Sequence, residues 1–225
     1  MNLSVLIPVY NAESYIGNCL ESLINQDLPK EDYEIIVFDD GSTDGTLALI
    51  KHYAERYENI VWFSEANRGV CMVRNKMISL AKGEYIYFLD ADDYLVHNCL
   101  KKILRKALEF NVDLIGFKTI ATNKLDDYAF NDEGFKMASL TLQTGYDFIR
   151  DYRNLRHEIW WYFIKKSFLI HENIIFDAQD FNGDVVFTLK LLMRSKKVVY
   201  LPFSSIFLSF SVAMLCNSKK PFKWS

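Results

Sequence analysis

The chain has 225 residues, with 26 basic and 29 acidic side chains and a net charge of −3. Half of the residues are apolar and 15% are aromatic, which excludes a disordered chain and supplies a full core without staples. The acidic balance argues against a protein that holds nucleic acid by charge, though not against a nucleotide ligand.

Leu3–Val9 is an apolar run broken by Ser4 and Pro8 and reads as a first strand. No basic segment or cleavage site precedes it, which predicts a protein that is not secreted. Ile16, Leu20, Leu23 and Ile24 fall on one helix face, with Asn11 as the N-cap. Glu34–Asp39 is a second strand, ending in a glycine-containing turn. Ile50, Tyr53, Ala54 and Tyr57 mark a second helix, and Ile60–Phe63 a third strand. Val70, Val73, Met77 and Leu80 mark a third helix, stopped by Gly83. Tyr85–Leu89 is a fourth strand, Leu100–Leu108 a fourth helix, and Val112–Phe117 a fifth strand.

This alternation predicts βαβ units and a parallel sheet with helices on both faces. Thr119–Leu142 is polar and mixed, and reads as a loop or hairpin. Order returns at Ile159–Ile170, then in a helix from Asp184 to Arg194 and a strand at Val198–Leu201. Val198–Cys216 carries no charge and precedes Lys219, Lys220 and Lys223. It reads as a strand and a packed segment, with contact at a membrane surface as the alternative. Neither a repeat nor a linker divides the chain. Cys19, Cys71, Cys99 and Cys216 lack metal-site spacing and read as free thiols of a reducing compartment. His52, His97, His157 and His171 lack it too, and read as surface or cap residues.

Ligands of open α/β sheets bind beyond the carboxyl ends of the strands. There the sequence places Asp39, Asp40 and Asp44 after the second strand, and Asp90, Asp92 and Asp93 after the fourth. Asp39, Asp40 and Asp44 also suit turns and caps. Asp90 and Asp92 end a buried apolar strand, where acids need a partner. A hard dication, Mn²⁺ or Mg²⁺, suits them. A carboxylate and a phosphate oxygen ~5 Å apart at a dielectric of ~20 repel by about 3 kcal/mol, so a diphosphate beside this rim needs a bridging metal. The glycine-rich phosphate loops of dinucleotide and P-loop folds are absent, as is a G-x-S-x-G elbow.

Four ordered blocks carry a resemblance: P-V-Y-N at 8–11, D-D-G-S-T-D at 39–44, N-R-G-V-C-M-V-R-N at 67–75 and G-E-Y-I-Y-F-L-D-A-D-D at 83–93. Together they resemble bacterial family-2 inverting glycosyltransferases of the GT-A fold, over roughly residues 1–120. W-W-Y-F-I-K-K at 160–166 and D-V-V-F at 184–187 resemble the family's second half less sharply.

The resemblance implies an α/β GT-A fold, a Rossmann-like, mostly parallel sheet flanked by helices on both faces. Residues 1–120 would be its nucleotide-sugar half and 121–225 its acceptor half. It implies transfer of a sugar from a nucleotide-diphosphate sugar, of the UDP class, to a hydroxyl of a saccharide or lipid-linked saccharide. Pro8, Tyr10, Asp40, Arg74 and Asp90 would hold the nucleotide, with Tyr10 on the base, Asp40 accepting its N–H, and Arg68 as the alternative to Arg74. Asp92 would bind Mn²⁺ or Mg²⁺. Asp184 would be the base, with Asp180 as fallback; the glutamate that precedes this aspartate in the family is replaced by Gly183. Trp160 and Trp161 could stack on an acceptor sugar or pack in the core. The implied location is cytoplasmic, peripheral to the inner membrane face, in cell-envelope polysaccharide synthesis. The family commonly continues further, so the chain is expected to be truncated on the acceptor side. Alternatives are a silent sugar-nucleotide binder, a nucleotidyltransferase, which lacks its basic loop here, and a receiver domain, about half this length.

Overall fold

A computed structural model describes residues 1–122, 140–151, 158–177 and 182–209. The apolar runs form β1 (Leu3–Val9), β2 (Tyr33–Asp39), β3 (Ile60–Ser64), β4 (Tyr85–Phe88), β5 (Tyr94–Leu95), β6 (Leu114–Thr122), β7 (Tyr162–Lys165) and β8 (Val198–Ser209). Between them lie α1 (Ile16–Ile24), α2 (Thr46–Ala54), α3 (Val70–Leu80), α4 (Leu100–Phe110), α5 (Gly145–Asp151), α6 (Lys166–His171) and α7 (Gly183–Arg194).

One sheet runs in the order β3-β2-β1-β4-β7-β6-β8-β5. β3, β2, β1 and β4 are parallel, in the register Val9↔Asp39 and Leu6↔Phe88. The sheet is mostly parallel as expected, with β6 and β8 parallel as well; β7 departs from the simple βαβ alternation and runs antiparallel to both β4 and β6. A strand entered from the irregular stretch after β6 need not obey the crossover rule of a βαβ unit.

Side chains alternate across the sheet, so each strand feeds two cores. Leu3, Val5, Ile7 and Val9 pack with α1, α2 and α4. Leu6, Ile36, Phe38, Ile86 and Phe88 pack with α3, α5, α6 and α7. In α4 the buried set Leu100, Ile103, Leu104 and Ala107 keeps the spacing of one helix face, and each buried leucine contributes about 1.5–3 kcal/mol. The helix ends at Asn111, whose φ of 48° is left-handed.

Two sequence expectations change. Gly83 does not stop α3, which ends at Leu80 with Ala81 turned to extended backbone. Its reason is proximity: a Cβ there would lie 2.5 Å from backbone atoms of Leu3 and Ser4. Asn11 does not cap α1, which begins at Ile16 after a turn in which Ala12 O accepts from Tyr15 N and Ile16 N. The first part of the uncharged stretch, Val198–Ser209, is strand β8. Among the described residues no helix is long and apolar enough to cross a membrane.

Candidate active site

The carboxyl ends of β2, β1 and β4 form one rim. Asp40 N donates to Val9 O at 2.8 Å, and Leu89 N donates to Leu6 O at 3.0 Å. With β1 between them, the chains at Asp40 and Asp90 are two strand spacings apart, about 10 Å.

The turns after β1 and β2 are tied together. Asn11, at a φ of 49°, accepts from Thr43 N at 2.8 Å through Oδ1, and its own N–H donates to Ser42 Oγ at 2.9 Å. Ala12 N donates to Thr46 Oγ1 at 2.8 Å, and Glu13 Oε2 accepts from Gly45 N at 2.9 Å. Asp44 accepts from Thr46 N at 3.0 Å and Glu13 N at 3.2 Å. The Thr46 hydroxyl is the largest cause holding the Asp44 carboxyl below its ordinary range. Gly41 turns through a φ of 77°, and a Cβ on it would meet Asn67 N at 2.8 Å. Pro8 is half-buried in β1, and Tyr10 beside it is 53% exposed.

The buried pair Asp39 and Asp40 is occupied by local bonds. Asp39 accepts from Ser42 N at 3.1 Å and from the Ser64 hydroxyl at 2.8 Å. Asp40 accepts from Arg68 N at 2.8 Å and Gly69 N at 3.0 Å, fixing the turn into α3. A carboxylate has about four acceptor positions, so Asp40 keeps capacity for a ligand N–H.

Arg74 is buried rather than lying on the helix surface. Its Nη1 donates to Asp184 Oδ1 at 2.5 Å and its Nη2 to Asp90 Oδ1 at 3.3 Å. Its guanidinium lies over the Phe176 ring at 5.4 Å, and its Nε is buried with no hydrogen-bond partner among the described residues. Burial raises the Asp90 carboxyl above its ordinary range; Arg74 opposes this, while Asp92 and Asp184 reinforce it. Burial raises Asp92 as well. Asp90 and Asp184 thus share one guanidinium, Asp92 adds a further negative charge beside Asp90, and among the described residues the local charge is short of a cation.

That deficit is a test of the implied metal. Among the described residues no group of three or more Asp, Glu, His or Cys is arranged to hold an ion. Asp92 with Asp90 nevertheless fits the way Mg²⁺ is usually held, by one or two carboxylates plus substrate phosphate.

Gly183, the departure from the family's glutamate, is explained by its neighbour. A Cβ there would meet Cys71 Sγ at 2.8 Å. α7 is anchored from below by the Tyr162 hydroxyl, 2.7 Å from Thr188 Oγ1. Asp180, the fallback base, lies outside the described residues, as do His157 and Cys216. Cys19, Cys71 and Cys99 form no disulfide, and His52, His97 and His171 are exposed. The sugar-stacking alternative for Trp160 and Trp161 is corrected: both are core residues, and Trp161 stacks on Phe148 at 6.0 Å. A separate cleft of about 610 Å³ opens at the amino ends of β1, β2 and β3, between Lys30, Glu34, Arg56 and Lys82, away from this rim.

Sequence reasoning missed Asn75, whose side chain bonds both backbone groups of Phe176. A polar residue inside an apolar-periodic helix was the available signal.

Comparison with known proteins finds glycosyltransferases. A poly(ribitol-phosphate) β-glucosyltransferase of Bacillus spizizenii is 50% identical over 97 residues, covering 42% of this chain and 15% of that protein. An uncharacterized glycosyltransferase of Escherichia coli, YibD, is 31% identical over 209 residues, covering 88% of this chain and 58% of its own. The crystal structure of S. aureus TarS residues 1–349 with UDP matches with a TM-score of 0.76 at 27% identity, covering 92% of this chain and 60% of that one. The same fragment with UDP-GlcNAc matches with a TM-score of 0.76 at 26% identity. The chain therefore spans less than two thirds of each of these relatives, and its fold is the GT-A arrangement they share. The sequence model of glycosyl transferase family 2 matches residues 4–181, and the chain belongs to that family.

Proposed function

We propose that the protein transfers a sugar from a UDP-sugar to an acceptor hydroxyl with inversion at the anomeric carbon. The observation that carries this reading is the buried guanidinium of Arg74, which ties Asp184 on α7 to Asp90 at the end of β4. It sets a base for the acceptor beside an acid of the donor rim. UDP and UDP-GlcNAc in the TarS crystals support the donor class.

In this reading Pro8, Tyr10 and Asp40 receive the nucleoside, and Asp90 the ribose side. Asp184 accepts the proton of the acceptor hydroxyl as its oxygen bonds to the anomeric carbon, and the nucleoside diphosphate leaves from the opposite face. Arg74 orients the Asp184 carboxylate. Mn²⁺ or Mg²⁺, held by Asp92 with Asp90, would neutralise charge on the departing diphosphate. The acceptor would be a hydroxyl of a saccharide, free or lipid-linked, or of a polyol chain such as the one the Bacillus relative's name states.

The test joins binding to turnover. At 100 times its Kd, UDP with Mn²⁺ should stabilise the chain by about 2.7 kcal/mol. Asp92→Asn should abolish the Mn²⁺-dependent part. Asp184→Asn should keep UDP binding and lower sugar transfer by about 10²–10⁴-fold, the scale of a lost general base. Metal-independent binding or a preference for ATP would overturn the reading. Equal loss of binding and transfer in Asp184→Asn would make that residue structural. Binding without turnover of any UDP-sugar would favour the silent binder.

A further inference from the structure

We propose that Asn75 is a positioning residue for Asp184, acting through Phe176; this rests on the transferase reading above. Asn75 lies inside α3, where its amide has no helical task. Its Nδ2 donates to Phe176 O at 2.8 Å, and its Oδ1 accepts from Phe176 N at 2.9 Å. One side chain therefore meets both main-chain groups of one residue, as a neighbouring strand would. Ile174–Asp177 belongs to neither helix nor strand, so this clamp stands in for a ladder.

What the clamp fixes is the Phe176 ring. The ring is buried, stacked on Phe187 at 3.8 Å and 7°, and meets Phe88 edge-on at 5.6 Å. Phe187 lies about one turn beyond Asp184 on α7. On another side Phe176 carries the Arg74 guanidinium, which holds the Asp184 carboxylate. Two arms thus lead from Asn75 through one ring to Asp184: one sets the helix that bears it, the other the cation that orients it. Arg74 and Asn75 are sequence neighbours whose separate contacts converge on that carboxylate.

A displacement of ~1 Å far from the chemistry can cost about 10²-fold in rate. Asn75→Ala in the full chain should therefore lower kcat for release of UDP from the best UDP-sugar by about 10²-fold, on that scale. The Kd for UDP with Mn²⁺, by calorimetry, should stay within about threefold. Leu104→Ala, buried in α4 on the other face of the sheet, serves as the control for lost stability. It should lower Tm and keep kcat within about threefold. Should Asn75→Ala not accumulate folded, Asn75→Asp, which lacks the Nδ2 donor, carries the test with the same thresholds. Hydrogen exchange supplies a readout independent of turnover. Amides of 186–194 should exchange at least tenfold faster in the Asn75 variant, on the order of the rate loss, while those of β1 and α1 do not change. Wild-type kcat, equal losses in the Leu104 control, or unchanged exchange in α7 would overturn the proposal. Wild-type protein that releases no UDP from any donor would instead overturn the transferase reading, while the exchange result still judges the clamp.

Discussion

Asp44 accepts the backbone N–H of Thr46 and of Glu13, and with the Thr46 hydroxyl these hold its carboxyl below the ordinary range. A depressed folded value means that the native state binds this proton less tightly than the unfolded chain. Its contribution is present above the unfolded value, near pH 3.9, and is lost as pH falls through the folded one. Asp44→Asn removes the titration but keeps a side chain able to accept the same bonds. Urea unfolding of both proteins should show an advantage for aspartate at pH 7 that shrinks steadily below about pH 4. A difference constant across that range would refute the assignment. Asp40 is bonded in a similar way to Arg68 N and Gly69 N, so the turn into α3 takes its shape from an acid that keeps capacity for a ligand.

At the scale of elements, the meeting of α3 and α7 decides where Asp184 stands. Gly183 opens α7 against Cys71 of α3, and a larger residue would have to displace the sulfur. Gly183→Glu should cost about 1–3 kcal/mol, the range of overpacking. Cys71→Ala combined with it should recover most of that loss in a thermal melt, whereas no recovery would place the strain elsewhere. This contact also marks where the sequence stopped being legible. A continuous apolar run found β1 with both ends correct, and the order of βα units followed from the alternation of such runs with helix-spaced apolar faces. The run of acids after β2 and β4 pointed to the rim because parallel strands share an end. Glycine at 183 looked like a defect of the motif, since nothing local reveals that Cys71, on another helix, fills the space. The burial of Arg74 was not legible because it depends on α7, more than 100 positions away. The antiparallel β7 was hidden for the same reason: its partners β4 and β6 are both distant in sequence.

At the scale of the molecule, the division at residue 120 does not cut the sheet cleanly. β6 begins before it, yet its partners β7 and β8 both come after. A fragment of residues 1–120 would leave β6 unpaired and strip Phe163, Phe176 and Phe187 from the two cores. It should show no cooperative thermal transition by circular dichroism and should elute as aggregate. A sharp two-state melt of that fragment would instead show that the nucleotide half folds alone. The braced turns after β1 and β2 have a further consequence. Asn11 stitches them into one piece through bonds of the chain's own. A guest settling there finds walls already still, and so spends little of its affinity on quieting the host.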